Sequence, residues 1–471
     1  MNHYLSRRSF ISRAAMVGGG VILSNSLLGK IPFAPANERV NLACIGVGNR
    51  AGEIIRDLYK TGLCNIVALC DVDMNAPHTQ QILKMFPDVP RFQDFRQMFD
   101  KMGNQIDAVS IGTPDFAHFA ITMTALELGK HVYVEKPMAQ TFWEVELMMQ
   151  KAKKHSNVVT QMGNQGHSEA NYFQFKAWKD AGIIKDVTRI DAHMNSRRRW
   201  HDWDPNMKNF PPAEKIPSTL DWELWQMQTL GHNYNKDFIN GQWRCWYDFG
   251  MGALGDWGAH ILDTAHEFLE LGLPTQVEAT YLEGHNAFFF PMSSTIKFHF
   301  PKRKRMPAVD ITWYDGLDNL PEIPEGYGVS GLDPNIPPPS TGKIEPVKLN
   351  PGKIIYSKDL TFKGGSHAST LQIIPESKAQ DMANKLPEVP QSPSNHFANF
   401  LKACKGEEKT RSPFEIAGPL SQVFCLGVIS QRLNGKIEFD PVRKEITNDK
   451  FANALLVGPP PAKGWEQYYK I

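Results

Sequence analysis

The stretch VNLACIGVGNRAG, residues 40–52, decides the fold of this 471-residue chain. It begins with an apolar run that is typical of a buried parallel strand, and it leads into a predicted helix from about Ala51 to Tyr59. Between the two, Gly46 allows a tight turn and Gly48 lets the backbone approach a pyrophosphate. The small side chain of Ala51 lets the helix pack closely on the strand. The stretch therefore predicts a dinucleotide at the N-terminal end of this helix.

Asp71 extends this prediction to the sugar of the dinucleotide. A second apolar run, Ile66 to Cys70, ends at Asp71, which lies 20 residues beyond Ala51. At about that spacing, an acidic residue holds the ribose 2′-hydroxyl in dinucleotide-binding folds. Because a carboxylate repels a 2′-phosphate, NAD is favoured over NADP. The alternative is a glycine-rich turn in another kind of α/β protein, with Asp71 only capping the next helix.

Helices and strands continue to alternate after Asp71. The patterns predict helices over 76–85, 94–102, 116–128 and 141–154, and strands over 108–112, 131–134 and 158–162. Such alternation is typical of a Rossmann doubly wound parallel sheet, whose ligand lies at the carboxyl ends of the strands. Gly46, Asp71, Thr113 and Lys136 all fall at such ends.

Four motifs in a fixed order resemble the Gfo/Idh/MocA oxidoreductases, the group of glucose-fructose oxidoreductase and inositol dehydrogenase. They are Gly46-x-Gly48-Asn49-Arg50, Thr113-Pro114-Asp115-x-x-His118, Glu135-Lys136-Pro137 and Gly163-Asn164-Gln165. The resemblance runs from about residue 40 to residue 465. It implies an NAD-binding domain over residues 37–163 and a substrate and oligomerisation domain over 164–440, which carries an open, mainly antiparallel or mixed sheet. A C-terminal segment, 441–471, is expected to pack back on the protein.

The resemblance also implies which residues bind the cofactor. These are Gly46, Gly48, Asn49, Arg50, Asp71, Thr113, Pro114, His118, Glu135, Lys136 and Gln165. The Lys136–Pro137 peptide bond is expected to be cis, and the protein is expected to form a homodimer or homotetramer.

A second motif, GMGALGDWGAHILD at residues 250–263, carries candidate catalytic residues. A helix from about Ala253 places Asp256, His260 and Asp263 on one face, at positions i, i+4 and i+7. The glycines at 252, 255 and 258 lower helix stability by about 1 kcal/mol each relative to alanine, which indicates that another surface lies close to the helix. In the resembled family, Asp256 and His260 match a pair that meets the lysine of Glu-Lys-Pro across the nicotinamide.

These residue types suit the oxidation of a secondary alcohol. His260 is the expected base for the hydroxyl proton, because neutral imidazole has a pKa near the working pH. Lys136 is expected to stabilise the developing charge on the oxygen, and Asp256 to orient the imidazole or a neighbouring hydroxyl. The alternatives are that His260 is a core histidine, or that it forms a zinc site with Asp256, Asp263 and His266. The zinc site is disfavoured because nothing supplies a thiolate, and no metal is predicted.

Aromatic residues are concentrated before the second motif. Seven of the eleven tryptophans lie between positions 200 and 257. Most are expected to fill the core or a subunit interface, since large aromatics dominate both. Trp246 and Tyr247 are candidate substrate contacts because they come just before the motif, and His167 and Asp263 are further candidates. Later patterns indicate strands over 276–282, 295–300 and 309–314, helices over 396–405 and 415–433, and a surface excursion over 321–351.

The N-terminus has the pattern of a Tat export signal. Arg7 and Arg8 precede a mildly apolar segment, residues 14–29, and then Ala34-Pro35-Ala36. The segment contains glycines and polar residues, so a permanent membrane span is disfavoured. The alternatives are an uncleaved anchor or a chance basic tail. Cleavage after residue 36 removes four basic residues and no acids, which leaves 47 basic and 50 acidic residues and a net charge of −3.

Composition and charge limit the classes of function that the sequence allows. The sequence has no excess of basic residues that would attract nucleic acid. The six cysteines lack the spacing of a metal site and are expected to be buried thiols. The favoured hypothesis is an exported, periplasmic NAD-dependent oxidoreductase with a retained cofactor, acting on a secondary hydroxyl of a sugar, glycoside or cyclic polyol. One alternative is an NAD-dependent glycosidase that works by transient oxidation and elimination. The other is a non-catalytic protein that binds NAD or sugar.

Overall fold

The computed structural model describes residues 34–195, 204–239, 241–328 and 349–471. The twin arginines of the predicted signal and the tryptophans at 200 and 203 lie outside the described residues, as does most of the predicted excursion over 321–351.

The first sheet has six parallel strands in the order β3-β2-β1-β4-β5-β6. The strands are β1 Val40–Ile45, β2 Cys64–Cys70, β3 Arg91–Phe92, β4 Ala108–Ile111, β5 His131–Val134 and β6 Thr160–Met162. Five of them follow the predicted apolar runs, and these runs are buried because helices cover both faces of a parallel sheet. The predicted doubly wound parallel sheet is confirmed. The two-residue strand β3 has no apolar run and was not predicted.

The helices of this half begin near the predicted positions. They are α1 Asn49–Lys60, α2 Gln80–Met85, α3 Phe95–Met102, α4 His118–Glu127 and α5 Phe142–Lys154. Thr141 forms a reciprocal capping box with Glu144 at the start of α5, which fixes this end by satisfying two backbone donors. Glu144 is buried, and its Oε1 also accepts a hydrogen bond of 2.6 Å from the hydroxyl of Tyr469, near the end of the chain.

The second sheet has nine strands in the order β13-β12-β11-β7-β10-β9-β8-β14-β15. Its strands are β7 Val187–Met194, β8 Gln276–Glu283, β9 Ser293–Phe300, β10 Val309–Asp315, β11 Gly352–Ser357, β12 Thr361–Gly365, β13 Gln372–Ile374, β14 Lys436–Asp440 and β15 Glu445–Ile446. Only β7 and β10 pair in parallel; the other pairs are antiparallel. The expected open, mainly antiparallel mixed sheet is therefore confirmed. Strand β15 comes from the C-terminal segment.

The remaining helices pack against this sheet or against the first half. They are α6 Ala170–Asp180, α7 Trp222–Gln226, α8 Gly252–Ile261, α9 Asp263–Phe268, α10 Glu376–Met382, α11 His396–Cys404, α12 Phe414–Leu433 and α13 Ala452–Val457. One prediction needs correction here. The helix that was expected to carry Asp256, His260 and Asp263 ends at Ile261, and Asp263 begins the next helix.

The long helix α12 explains why α8 contains glycine. A Cβ atom at residue 258 would lie 2.6 Å from the ring of Phe424 in α12, so only glycine allows this approach. Helix α12 also reaches the first half, where Gln422 donates a hydrogen bond of 3.0 Å to Glu146 of α5. Helix α12 thus holds the helix with the second motif against the NAD-binding half.

All six cysteines are free thiols, five of them buried. In the described ranges, no helix has the length and apolarity needed to cross a bilayer. Nor do these ranges contain a group of three or more His, Cys, Asp or Glu side chains that could hold a metal ion.

Candidate active site

The glycine turn joins β1 to α1 with the geometry that a dinucleotide requires. Gly46 has a φ of +83°, and a Cβ there would lie 2.8 Å from the backbone of Gly112 at the end of β4. A Cβ at Gly112 would in turn lie 2.7 Å from Cβ of Ala51, which explains the small residue at position 51. Among the described residues, no side chain caps the N-terminus of α1 at Gly48. Its first backbone N–H groups therefore remain available to an anion.

Two side chains at the ends of β2 and β4, the strands on either side of β1, complete this cradle. One oxygen of Asp71 accepts a hydrogen bond of 2.9 Å from the N–H of Val47, and the other accepts one of 3.0 Å from Asp73. The hydroxyl of Thr113 is buried and has no partner among the described residues. These residues fit NAD, because a buried hydroxyl without a partner and an uncapped helix end both favour a polar ligand. The imidazole of His78 lies against Gly48, so glycine is also needed there for packing.

The other cofactor candidates surround the end of β5. His118 lies between two carbonyl oxygens, 2.9 Å from that of Thr113 and 2.8 Å from that of Pro137. Glu135 accepts a hydrogen bond of 3.1 Å from Gln165. The Lys136–Pro137 bond is cis, as expected.

Asn49, Arg50 and Pro114 lie on the rim of the cradle. Asn49 opens α1 with a φ of +51°, and Arg50 forms an exposed ion pair of 2.8 Å with Glu53. Pro114 follows Thr113 and precedes a short 3-10 turn. Their contact with the cofactor stays a prediction.

Lys136 and Asp256 meet in a buried ion pair between the two halves of the protein. The Lys136 ammonium donates to Oδ1 and to the backbone carbonyl of Asp256, each at 2.7 Å. Arg244 lies 3.3 Å from the same Oδ1 and 3.1 Å from Asp115 of the first half. Burial lowers the pKa of Lys136, and Asp256 partly opposes that shift. The result is a chain of alternating charges, Asp115–Arg244–Asp256–Lys136.

His260 lies one turn after Asp256 and is 7% exposed. Its Nδ1 is buried and has no hydrogen-bond partner within the described residues. Burial, together with the positive charges of His367 and Lys136, holds the pKa of His260 well below its usual value. The imidazole is therefore neutral at physiological pH and can accept a proton.

His167 and Asp263 form a second buried ion pair, with Glu267 as a third member. The ring nitrogens of His167 lie 3.2 Å from Asp263 and 2.5 Å from Glu267. Burial alone would lower the pKa of His167, but the hydrogen bonds to both carboxylates raise it to about 9. Both predicted substrate residues are thus already paired with each other. Asp263 is unavailable for the alternative zinc site, as is His266, which bonds to the carbonyl of Gly272 at 2.9 Å.

Trp246 and Tyr247 lie in the interior. Trp246 is fully buried, and its indole N–H donates to the carbonyl of Asp237 at 2.7 Å. Its ring packs among Phe238 and Phe289. This environment fits packing better than substrate contact, and Trp246 has the core position expected for most of the tryptophans. The Tyr247 hydroxyl is buried and has no partner in the described ranges.

Both halves of the chain match one family of known proteins. Residues 40–163 match its model described as "Oxidoreductase family, NAD-binding Rossmann fold". Residues 183–287 match the model of its C-terminal alpha/beta domain. These two segments are therefore similar to the two domains of the Gfo/Idh/MocA oxidoreductases. This agrees with the family that the four sequence motifs resemble.

Relatives with assigned names have low identity and match over part of their length. An alpha-N-acetylgalactosaminidase of Shewanella oneidensis is 26% identical over 44% of this chain and 49% of its own length. The scyllo-inositol 2-dehydrogenase (NADP(+)) IolW of Bacillus subtilis is 24% identical over 43% of this chain and 45% of its own. The chain therefore spans about half the length of each of these two relatives. The WlbA dehydrogenase of Chromobacterium violaceum, solved with NADH and UDP-GlcNAcA, covers 88% of this chain and 99% of its own at 13% identity, with a TM-score of 0.57. At that identity the likeness shows the fold alone.

Three residues of this candidate site were not predicted from sequence: Asp115, Arg244 and His367. Asp115 lies in the Thr113-Pro114-Asp115 motif, and Arg244 lies close in sequence to the candidate Trp246. Asp115 and Arg244 are 129 positions apart, so neither local pattern indicates that they form an ion pair. His367, in the loop after β12, has no motif around it. Only the folded chain shows that its ring stacks on that of His260.

Proposed function

We propose that this protein is an NAD-dependent oxidoreductase that acts on a secondary hydroxyl of a sugar, glycoside or cyclic polyol. The observation that carries the proposal is the neutral, buried His260, whose Nδ1 has no partner in the described ranges, beside the Lys136–Asp256 pair. An imidazole with an open nitrogen and an adjacent ammonium are the two groups that alcohol oxidation needs. Both lie at the same edge as the glycine turn.

The side chains have separate tasks in this reaction. NAD, when bound, supplies a nicotinamide that accepts or returns a hydride. His260 takes the hydroxyl proton, since burial keeps its imidazole neutral. Lys136 donates a hydrogen bond to the oxygen that loses this proton. Asp256 holds the ammonium in place and is itself held by Arg244.

Asp71 supports NAD rather than NADP as the cofactor. Its two oxygens already accept backbone hydrogen bonds, and these fix the carboxylate beside the glycine turn. A 2′-phosphate there meets a negative charge that cannot rotate away.

The predicted Tat signal, with Arg7 and Arg8, adds the proposal that the protein is exported with its cofactor. A retained cofactor must then be re-reduced or re-oxidised within each cycle.

The test begins with the purified protein, from which any bound nucleotide is released and identified. The protein is then incubated with a panel of sugars, glycosides and cyclic polyols while cofactor absorbance and products are followed. A keto product supports the oxidoreductase. His260→Ala should abolish turnover and leave nucleotide binding intact, whereas His299→Ala, a surface histidine paired with Asp310, should change neither. Persistent turnover in His260→Ala would show that His260 is not the base.

A second candidate function is an NAD-dependent glycosidase, in which oxidation at one carbon makes elimination of the glycosidic bond easy. Its support is that several relatives carry glycosidase names, among them the alpha-N-acetylgalactosaminidase. The same panel separates the two functions, because a glycosidase releases the aglycone and leaves no net keto sugar. If neither product forms, a non-catalytic protein that binds NAD or sugar is the remaining hypothesis.

A further inference from the structure

A second imidazole, that of His367, covers the ring of His260. The two ring centroids are 4.0 Å apart and the planes differ by 17°, so the rings are stacked. The backbone N–H of His367 also donates a hydrogen bond of 2.8 Å to the carbonyl of His260. The loop after β12 therefore meets α8 through its main chain and through its side chain.

The loop that carries His367 is held firmly in place. The φ of His367 is +52°, in the left-handed region, where a residue with a side chain loses about 1–2 kcal/mol. Three contacts maintain this conformation. The Nδ1 atom lies 3.0 Å from the hydroxyl of Ser366, and the edge of the ring meets Trp257 at a centroid distance of 5.4 Å. The carbonyl of His367 lies so close to Gly166 that a Cβ there would be 2.7 Å from it. Strained residues that are fixed in this way are concentrated at functional sites.

The electrostatic surroundings of His260 are mainly positive. Lys136 faces it from the loop after β5, Arg50 from the glycine turn and His367 from the loop after β12, while Asp256 on the same helix is negative. His367 is half-buried and next to exposed residues, whereas His260 is buried. Two imidazolium rings at stacking distance repel each other strongly, so the pair holds one proton at most near neutral pH.

We propose that His367 is a positioning residue for His260: its ring fixes the plane of the buried imidazole and disfavours its protonation until the substrate supplies a proton. The proposal rests on the proposed function, because that function makes His260 the base. Residue 367 need not touch the substrate. It acts by keeping His260 neutral and in one orientation, because a proton on either ring of the stacked pair disfavours a proton on the other.

The test measures the protonation of His260 directly. Histidine labelled with ¹³C at Cε1 is incorporated into the full chain, and the resonance of His260 is assigned as the one that disappears in His260→Gln. The pH titration is then repeated in His367→Phe, which keeps a stacking ring and removes its charge. We expect the midpoint of His260 to move to higher pH by about one unit. An unchanged midpoint overturns the proposal.

A second variant and a control keep the result clear. If His367→Phe does not fold, His367→Gln also removes the charge, and the same upward shift is expected. His299→Gln, at a surface ion pair, should leave the midpoint where it is. Where a substrate has been found, the acidic limb of the kcat/KM profile should move in the same direction, which a purely structural residue would not cause. A shifted midpoint in a protein that turns over no substrate supports the pairing and counts against the proposed function.

Discussion

The candidate site has two halves, a proposed cofactor half and a proposed catalytic half, which lie at the same edge of the first sheet but are assembled differently. The cofactor half, formed by the glycine turn, Asp71 and Thr113, relies on backbone conformation and on contacts within the first sheet. The catalytic half, formed by Lys136, Asp256, His260 and Arg244, relies on charges that meet across the two domains. A substitution in one half should therefore leave the other half intact, and this can be tested.

The largest effect is expected from Lys136→Met. The variant removes the ammonium that is proposed to contact the reacting oxygen, and kcat should fall by about 10²- to 10⁴-fold. Nucleotide binding should persist, because the glycine turn and Asp71 are untouched. Steady-state kinetics and nucleotide release measure the two properties. Lys302→Met, at the exposed turn between β9 and β10, is the matched control. Loss of the nucleotide in Lys136→Met would contradict the independence of the two halves.

Arg244→Gln should mainly reduce stability. It leaves Asp115 and Asp256 near each other without the shared guanidinium, and removing one partner of a buried ion pair costs about 3–5 kcal/mol. Urea unfolding of the variant should show this loss, and turnover should fall as well because Lys136 loses a fixed partner. Arg443→Gln, in which an exposed ion pair is removed, should leave the midpoint of unfolding unchanged. An equal midpoint for Arg244→Gln would mean that the charge chain does not join the domains.

The His167 pair gives the stability of the protein a defined pH dependence. Since the pKa of His167 is raised from 6.5 to about 9 in the folded protein, its stabilisation is complete below pH 6.5 and is lost as the pH rises through 9. The loss is on the order of 3 kcal/mol. Unfolding free energies between pH 6 and 10 should show this decline, and His167→Gln should lack it. His155→Gln, at the end of α5, is expected to retain it; a flat wild-type profile would mean that His167 is neutral.

The smallest effect is expected at Asp71. Asp71→Ser removes the fixed carboxylate and should weaken the preference for NAD over NADP by about tenfold, or 1.4 kcal/mol. Competitive binding of the two cofactors to the apoprotein measures this ratio. Asp73→Ser, two residues further along, should keep the wild-type preference. If the ratio is unchanged in Asp71→Ser, this carboxylate does not select the cofactor.

The two halves also differ in how well their sequences predict them. The glycine turn, the strand ends and the start of the helix after Thr141 depend on residues close in sequence, so periodicity and spacing were sufficient to predict them. The break at Leu262 was missed because the apolar pattern continues through it. The pairings of Arg244 with Asp115, of His167 with Asp263 and of His367 with His260 could not be found, because each depends on packing between residues more than 90 positions apart. Strands β8, β9 and β10 were predicted, and the other six strands of the second sheet were missed. In β7 and β12, charged and glycine residues interrupt the alternation that indicates a strand.

The hydrogen bond from Tyr469 to Glu144 joins residues 325 positions apart. The six strands of the first sheet are complete once residue 162 has been synthesised, but the hydrogen bond from Tyr469 to Glu144 can form only after residue 469 has left the ribosome. The NAD-binding half thus contains every strand of its own sheet, but one of its buried carboxyl groups takes a hydrogen bond from a residue near the end of the chain. A truncation or a bulky tag at the C-terminus would first disturb a helix in the N-terminal half.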